Sequence, residues 1–315
     1  MAITVSPDLS IELAPFREKG LALRNPVIGA SGTFGYGTEL EDYIDVQQLG
    51  AIICKGVTRY PRDGNPQPRL VETAAGLLNT IGLQNIGVET IVQEKAPVWA
   101  RWQTSVIVNI SGDTVEEYGD IAGVLEGVAG VSGVEVNIGC PNVERGGLEF
   151  GIDPQMAAAV TESVRAATSL PMMVKLTPNV TDIVEIARAV AGAGADSVSL
   201  VNTFVGMAID VAKRRPGLST IMGGLSGPAI KPISLAMVYK VADALDIPVI
   251  GIGGIASARD ALEFIMAGAS AVQVGTASFL NPGACAEVLE GIQDFMRREG
   301  IAKLSDLVGV ARVNS

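Results

Sequence analysis

Short runs of β-branched and apolar residues recur along the chain, each closed by Gly, Asn or Pro and followed by a stretch with helical spacing. They read VIGAS (27–31), AIICKGV (51–57), SVIVNIS (105–111) and GVEVNIG (133–139). Then come PMMVKLT (171–177), SVSLVNT (197–203), PVIGIGG (248–254) and AVQVGTA (271–277). Between them apolar positions fall three and four apart, as at Ile183, Ile186, Ala187 and Val190, or at Ala261, Leu262, Ile265 and Met266. That is the spacing of a helix face turned toward a core. Eight such alternations in 315 residues predict an α/β protein, a single (β/α)8 (TIM) barrel domain over 1–315. A doubly wound open sheet is the alternative, but no G-x-G-x-x-G follows the first run. Residues 8–24 carry SIEL and GLAL, which read as a short β-hairpin covering the N-terminal end of the barrel.

Alternate residues of a barrel strand face the interior and the surrounding helices. The third run places Val106, Val108 and Ile110 on one face and Asn109 on the other; the fourth opposes Asn137 to Val134, Val136 and Ile138. Lys175 falls between Val174 and Leu176, and Lys55 between Cys54 and Gly56. These polar residues share a phase and sit in the last third of their runs, the end at which barrel active sites are built. A buried amide can be merely structural. A buried ammonium without a partner costs several kcal/mol or gives up its proton, so two lysines in this phase point to an anion or an electron-rich ring as their partner. Gly253-Gly254 ends the seventh run and Gly275-Thr276 the eighth, each ahead of a helix. Backbone N–H groups at such turns bind phosphate, and loops seven and eight are its usual place in this fold.

Composition narrows the chemistry. With 34 acidic against 23 basic residues the formal net charge is −11, which excludes a basic footprint for nucleic acid. No apolar stretch approaches the length of a membrane span, and MAITVSPDLSIELAPFREKG does not read as a secretory signal. The three cysteines, Cys54, Cys140 and Cys285, are far apart and suggest neither a disulfide framework nor a metal site; a cytoplasmic protein is expected. Histidine is absent, which removes Ser-His-Asp and Cys-His catalysis and His-ligated metals together. Cys54 and Cys285 read as small buried hydrophobes. Cys140 differs: it follows the fourth run directly, in NIGCPN (137–142), and begins the loop PNVERGGLEFG (141–151), whose glycines would let it move as a lid. A thiol is a competent general base where thiolate is favoured, and here it is the leading candidate.

At these residues the sequence resembles the dihydroorotate dehydrogenases, specifically the class 1 type that works with an NAD-linked electron-transfer subunit. The stretches that carry the resemblance are ASGTFGYG (30–37), NTIGLQN (79–85), NIGCPN with ERGG, NTFVGMAID (202–210) and GGLSGPAIKP (223–232). The resemblance implies FMN-dependent oxidation of (S)-dihydroorotate to orotate in pyrimidine (UMP) biosynthesis, with Cys140 as catalytic base. FMN would be held by Ser31, Lys55, Gly56, Asn109, Asn137, Lys175, Val201, Gly227, Gly253, Gly254, Gly275 and Thr276. The substrate would meet Lys55, Asn79, Thr80, Ile81, Gly82, Leu83, Asn137, Asn202 and Thr203. It further implies a homodimer core within a heterotetramer, whose other subunit carries FAD and a [2Fe-2S] cluster and passes electrons to NAD+; neither a metal ligand set nor membrane attachment is expected. Class 2 relatives have Ser in place of this Cys. Two positions depart from the family pattern: Ser is usual where this chain has Gly139, and Ala is commoner at Thr80. The missing hydroxyl beside Cys140 bears on how that thiol is tuned.

Other functions remain open to the residues alone. Another FMN barrel acting on a pyrimidine, such as dihydropyrimidine dehydrogenase, is the nearest; a dihydrouridine synthase is disfavoured by the acidic charge. A phosphate-binding isomerase or lyase without redox cofactor would need the same glycine turns. A non-catalytic scaffold has no use for paired lysines at a barrel mouth.

Overall fold

The computed structural model describes residues 6–139 and 150–313. Eight parallel strands close a barrel: β1 (Val27–Gly29), β2 (Ala51–Ile53), β3 (Ser105–Ile110), β4 (Gly133–Asn137), β5 (Met172–Leu176), β6 (Ser197–Leu200), β7 (Val249–Ile252) and β8 (Ala271–Val274). Each pairs with its neighbours in sequence, and β8 returns to β1. The barrel expected from the eight runs is thus the one observed, each strand ending one to four residues before its run does.

Period-two alternation sorts the apolar residues into two cores. Val106, Val108, Ile110, Val134, Val136, Val174 and Leu176 face outward and pack under the helices. Ile28, Ala51, Ile53, Ile107, Met173, Ile250 and Ala271 face inward. The inward core is closed from below by the hairpin, Ile11–Glu12 paired with Ala22–Leu23. Its Leu13, Ala14, Leu21 and Leu23 join the same cluster, and Leu21 lies beside Gly133, the first residue of β4. The hairpin therefore covers the N-terminal end, and the opposite end is left for polar side chains.

Four helices begin where a polar side chain caps the apolar stripe, at Thr114, Asp153, Asp182 and Ser257. Asp153 accepts from Met156 N ahead of Pro154–Ala167, and Ser257 from Asp260 N ahead of Ala258–Met266. One alternation departs from expectation. β1 is followed not by an α-helix but by two short 3₁₀ turns, Thr38–Leu40 and Val46–Gln48. The apolar residues there, Phe34, Tyr36, Val46 and Leu49, are spaced too irregularly to present one helical face.

A second sheet was not expected from the chain pattern. Phe204–Met207, Met222–Ser226, Gly76–Asn79 and Leu70–Thr73 form four antiparallel strands, joining the excursions that follow β6 and β2. Leu70, Val205, Met207 and Met222 are exposed on it, as are Ile209 and Ile221 close by. Among the described residues no helix is long and apolar enough to cross a membrane.

Candidate functional site

Strand register decides which polar residues meet inside the barrel. Asn109 of β3 pairs with Glu135 of β4, Asn137 of β4 with Lys175 of β5, and Lys175 with Ser199 of β6. All are buried and lie in the inward phase. Lys175 Nζ donates to Ser31 Oγ at 3.1 Å and stands 3.9 Å from Glu135 Oε2. Lys175 thus has a counter-ion within the barrel itself, Glu135. Glu135 went unremarked in the sequence although it occupies the phase of Asn137 between Val134 and Val136. A charged residue inside an otherwise apolar strand was the signal that could have found it.

Lys55 differs from Lys175 in its surroundings. It lies two residues past β2, half-buried, and among the described residues its ammonium makes neither an ion pair nor a hydrogen bond. Burial lowers its pKa from the ordinary lysine value, the charge of Arg69 lowers it further, and Glu39 opposes both. Arg69, not singled out from sequence, is thus a second cation near this position. It is held on the 79–83 turn, donating from its side chain to Gln84 and accepting Thr80 N at its carbonyl.

The amides gather at the same end. Asn202 Nδ2 donates to Asn137 Oδ1 at 3.1 Å and to Gly139 O at 2.6 Å, which leaves the Asn137 amino group without a partner among the described residues. Asn202 Oδ1 accepts Thr203 N, and Thr203 packs on Gly224 of the second sheet. Asn79 Nδ2 donates to Gly224 O at 3.3 Å, so this sheet carries the turn 79–83 to the barrel mouth. In that turn Gly82 and Leu83 have positive φ, and Leu83 reaches the neighbourhood of Gly56 and Asn109.

Loops six, seven and eight converge. Gly253 and Gly254 have φ of 121° and 79°, a left-handed pair that an L side chain adopts only with strain. Gly227 O would lie 2.9 Å from a Cβ on Gly254, and Thr276 Oγ1 donates to Ser226 Oγ at 2.8 Å. Gly227, Gly253, Gly254 and Thr276 thus share one place, with Gly275 beside Thr276, and Val201 N is bonded to Ile252 O at the end of β7. Lys231, the nearby cation, is already taken by Asp260 and Glu263 at 2.6 and 2.8 Å.

Of the residues singled out from sequence, Cys140 and residues 141–149 of the lid lie outside the described residues; Phe150 and Gly151, the last two of that stretch, are buried at the start of a 3₁₀ turn, with Gly151 N bonded to Ile138 O at 2.9 Å. The two departures from the family pattern have local explanations. Thr80 is fully buried and its Oγ1 accepts from Asn65 Nδ2 at 2.9 Å and from Thr220 Oγ1 at 2.7 Å. Thr80→Ala is expected to cost about 1 kcal/mol, read as a lower urea midpoint at unchanged slope; an unmoved midpoint would show these bonds to contribute nothing. At Gly139 an ideal Cβ would stand 2.6 Å from Thr177 Cβ, so a serine there requires the ends of β4 and β5 to part. Cys54 and Cys285 behave as the buried hydrophobes expected; burial pushes both thiols up to about 12.

The family profile described as dihydroorotate dehydrogenase matches residues 16–296. A protein of Pelobacter propionicus named dihydroorotate dehydrogenase B (NAD(+)), catalytic subunit, is 55% identical over 305 residues, covering 97% of this chain and 99% of its own. Proteins of the same name from Geotalea daltonii and Desulforamulus reducens are 54% and 56% identical, covering 98% and 93% of this chain and 99% and 96% of their own. On similarity that runs along nearly the whole chain, this chain belongs to the dihydroorotate dehydrogenase family and is an oxidoreductase of that kind.

Proposed function

We propose that the chain oxidises (S)-dihydroorotate to orotate with bound FMN, Cys140 acting as base, and serves as the catalytic subunit of an NAD-linked enzyme of pyrimidine biosynthesis. The observation that carries this reading is the half-buried Lys55 ammonium, unpaired among the described residues and at the barrel end that also gathers Asn79, Asn137 and Asn202. A carboxylate is the natural partner for that cation in a partly dehydrated site. Around it the Asn137 amino group, without a partner among the described residues, and the Asn79 side-chain oxygen offer one donor and one acceptor, as the edge of a cyclic imide requires.

The residues also fit FMN. The left-handed Gly253-Gly254 turn, Gly227 and the Gly275-Thr276 turn offer backbone N–H groups and a hydroxyl for a phosphate. Lys175, Asn109 and Ser31 would face the ring, with Lys175 supplying positive charge where reduction adds electron density. When bound, FMN accepts the hydride. Lys55 would anchor the substrate carboxylate, the asparagines would orient its ring, and Cys140 would take the proton from the ring carbon. The protein so purified is expected to be yellow and to bleach on anaerobic addition of dihydroorotate. A colourless protein that takes up no added FMN would favour the isomerase or lyase alternative.

The word "subunit" in the relatives' name supports a partner protein, which we take to carry FAD and a [2Fe-2S] cluster; we take the setting to be cytoplasmic. The exposed apolar residues of the second sheet support a homodimer core, since a patch of that kind on a surface commonly marks association. Met207→Lys is then expected to halve the mass measured by sedimentation; an unchanged mass would place the contact elsewhere.

A further inference from the structure

Glu135 lies inside the barrel with no exposed surface, and nothing in the reaction outlined above uses it. Its Oε1 accepts from Ser199 Oγ and from Gln273 Nε2, each at 2.8 Å, and its Oε2 from Asn109 Nδ2 at 2.6 Å. Lys175 Nζ completes the set at 3.9 Å. Partners thus come from β3, β5, β6 and β8. Desolvating a carboxylate costs several kcal/mol, and only full hydrogen bonding with a countercharge offsets it. Two of the four partners, Asn109 and Lys175, are residues set against the flavin ring in the proposed function, on which the following inference rests.

We propose that Glu135 is a positioning residue for the flavin, fixing the amide of Asn109 and the ammonium of Lys175 from beneath and thereby setting the potential of the ring above them. An ionised carboxylate only accepts, so only the amino group of Asn109 can face it. The Asn109 carbonyl oxygen is consequently turned away, toward Gly56, where it would lie 2.8 Å from a Cβ. Without an anion beneath it, either end of this amide could be presented to the mouth. Lys175 divides its donors between Ser31 and the direction of Glu135, so its positive charge reaches the ring partly cancelled by the carboxylate behind it. Replacing the carboxylate by a neutral group of the same shape exposes that charge and favours the electron-rich, reduced ring.

A purely structural role for Glu135 would change stability and leave the flavin's potential alone. The test is an anaerobic titration of the FMN-loaded full chain against a reference dye. Glu135→Gln is expected to favour reduced over oxidised FMN about tenfold, a rise of about 30 mV for two electrons. Glu135→Asp keeps the charge but withdraws it from Lys175, and is expected to give a smaller rise. An unmoved potential in FMN-loaded Glu135→Gln overturns the proposal, whatever happens to stability. Should that variant fail to fold, Glu135→Asp decides in its place, and an unmoved potential there overturns it equally. A wild-type chain that binds no FMN sinks the proposed function as well; a wild type that binds FMN beside an unshifted variant sinks the positioning role alone.

Discussion

Reduction of bound FMN by dihydroorotate is expected to slow by about 10²- to 10⁴-fold near neutral pH when Cys140 is replaced by Ser, with fold and flavin content kept. The chain has no histidine. Its other two thiols are buried, and with values pushed up to about 12 they hold their protons throughout the working range. An unperturbed cysteine titrates near 8.5, and cations near the mouth such as Lys55 would draw that value down while burial would draw it up. Either way the deprotonated form is the active one, so the rate rises with pH through the thiol's own pKa. A serine hydroxyl is far less acidic and has no imidazole to activate it. Activity in Cys140→Ser should therefore recover only at high pH, and Cys140→Ala should not recover by that route. Wild-type single-turnover reduction in Cys140→Ala would remove this residue from the mechanism.

Lys55→Ala is expected to raise the dissociation constant for dihydroorotate roughly ten- to a hundredfold, the worth of about 1.5–3 kcal/mol for a hydrogen bond to a charged group. Flavin content should fall far less, because the other cofactor contacts remain. The pH dependence supplies a second, signed expectation. Burial and Arg69 hold the Lys55 pKa below the ordinary lysine value, so the ammonium loses its proton at a lower pH than a free lysine would. The form that binds the anion is the protonated one. Affinity in the wild type should thus be complete well below that depressed pKa and decline as pH rises through it. In Lys55→Ala this decline should be absent. Equal substrate affinity in the two proteins at neutral pH would mean that the carboxylate is held elsewhere.

Much of the barrel was legible because a strand of period two and a helix of period 3.6 write themselves locally. Each of the eight runs recurs as a strand in the structure, and the alternation that set Asn109, Asn137 and Lys175 apart from their apolar neighbours survives as the division between inner and outer cores. The second sheet escaped because its strands are short, rich in glycine and paired across the chain, Gly224 with Asn79 and Leu225 with Leu78. No local period reports a partner some 145 residues away.

Sequence alone determined the fold class, the inward phase of the polar residues and the absence of any imidazole, since these follow from residue identity and spacing. Tertiary structure alone decided their partners. Register set Glu135 beside Asn109 and within reach of Lys175, while leaving Lys55 without an ion-paired carboxylate among the described residues. The two lysines looked equivalent along the chain. They differ because the charge state and availability of a buried ammonium depend on what strand pairing brings within about 4 Å of it, a distance that chain order does not contain.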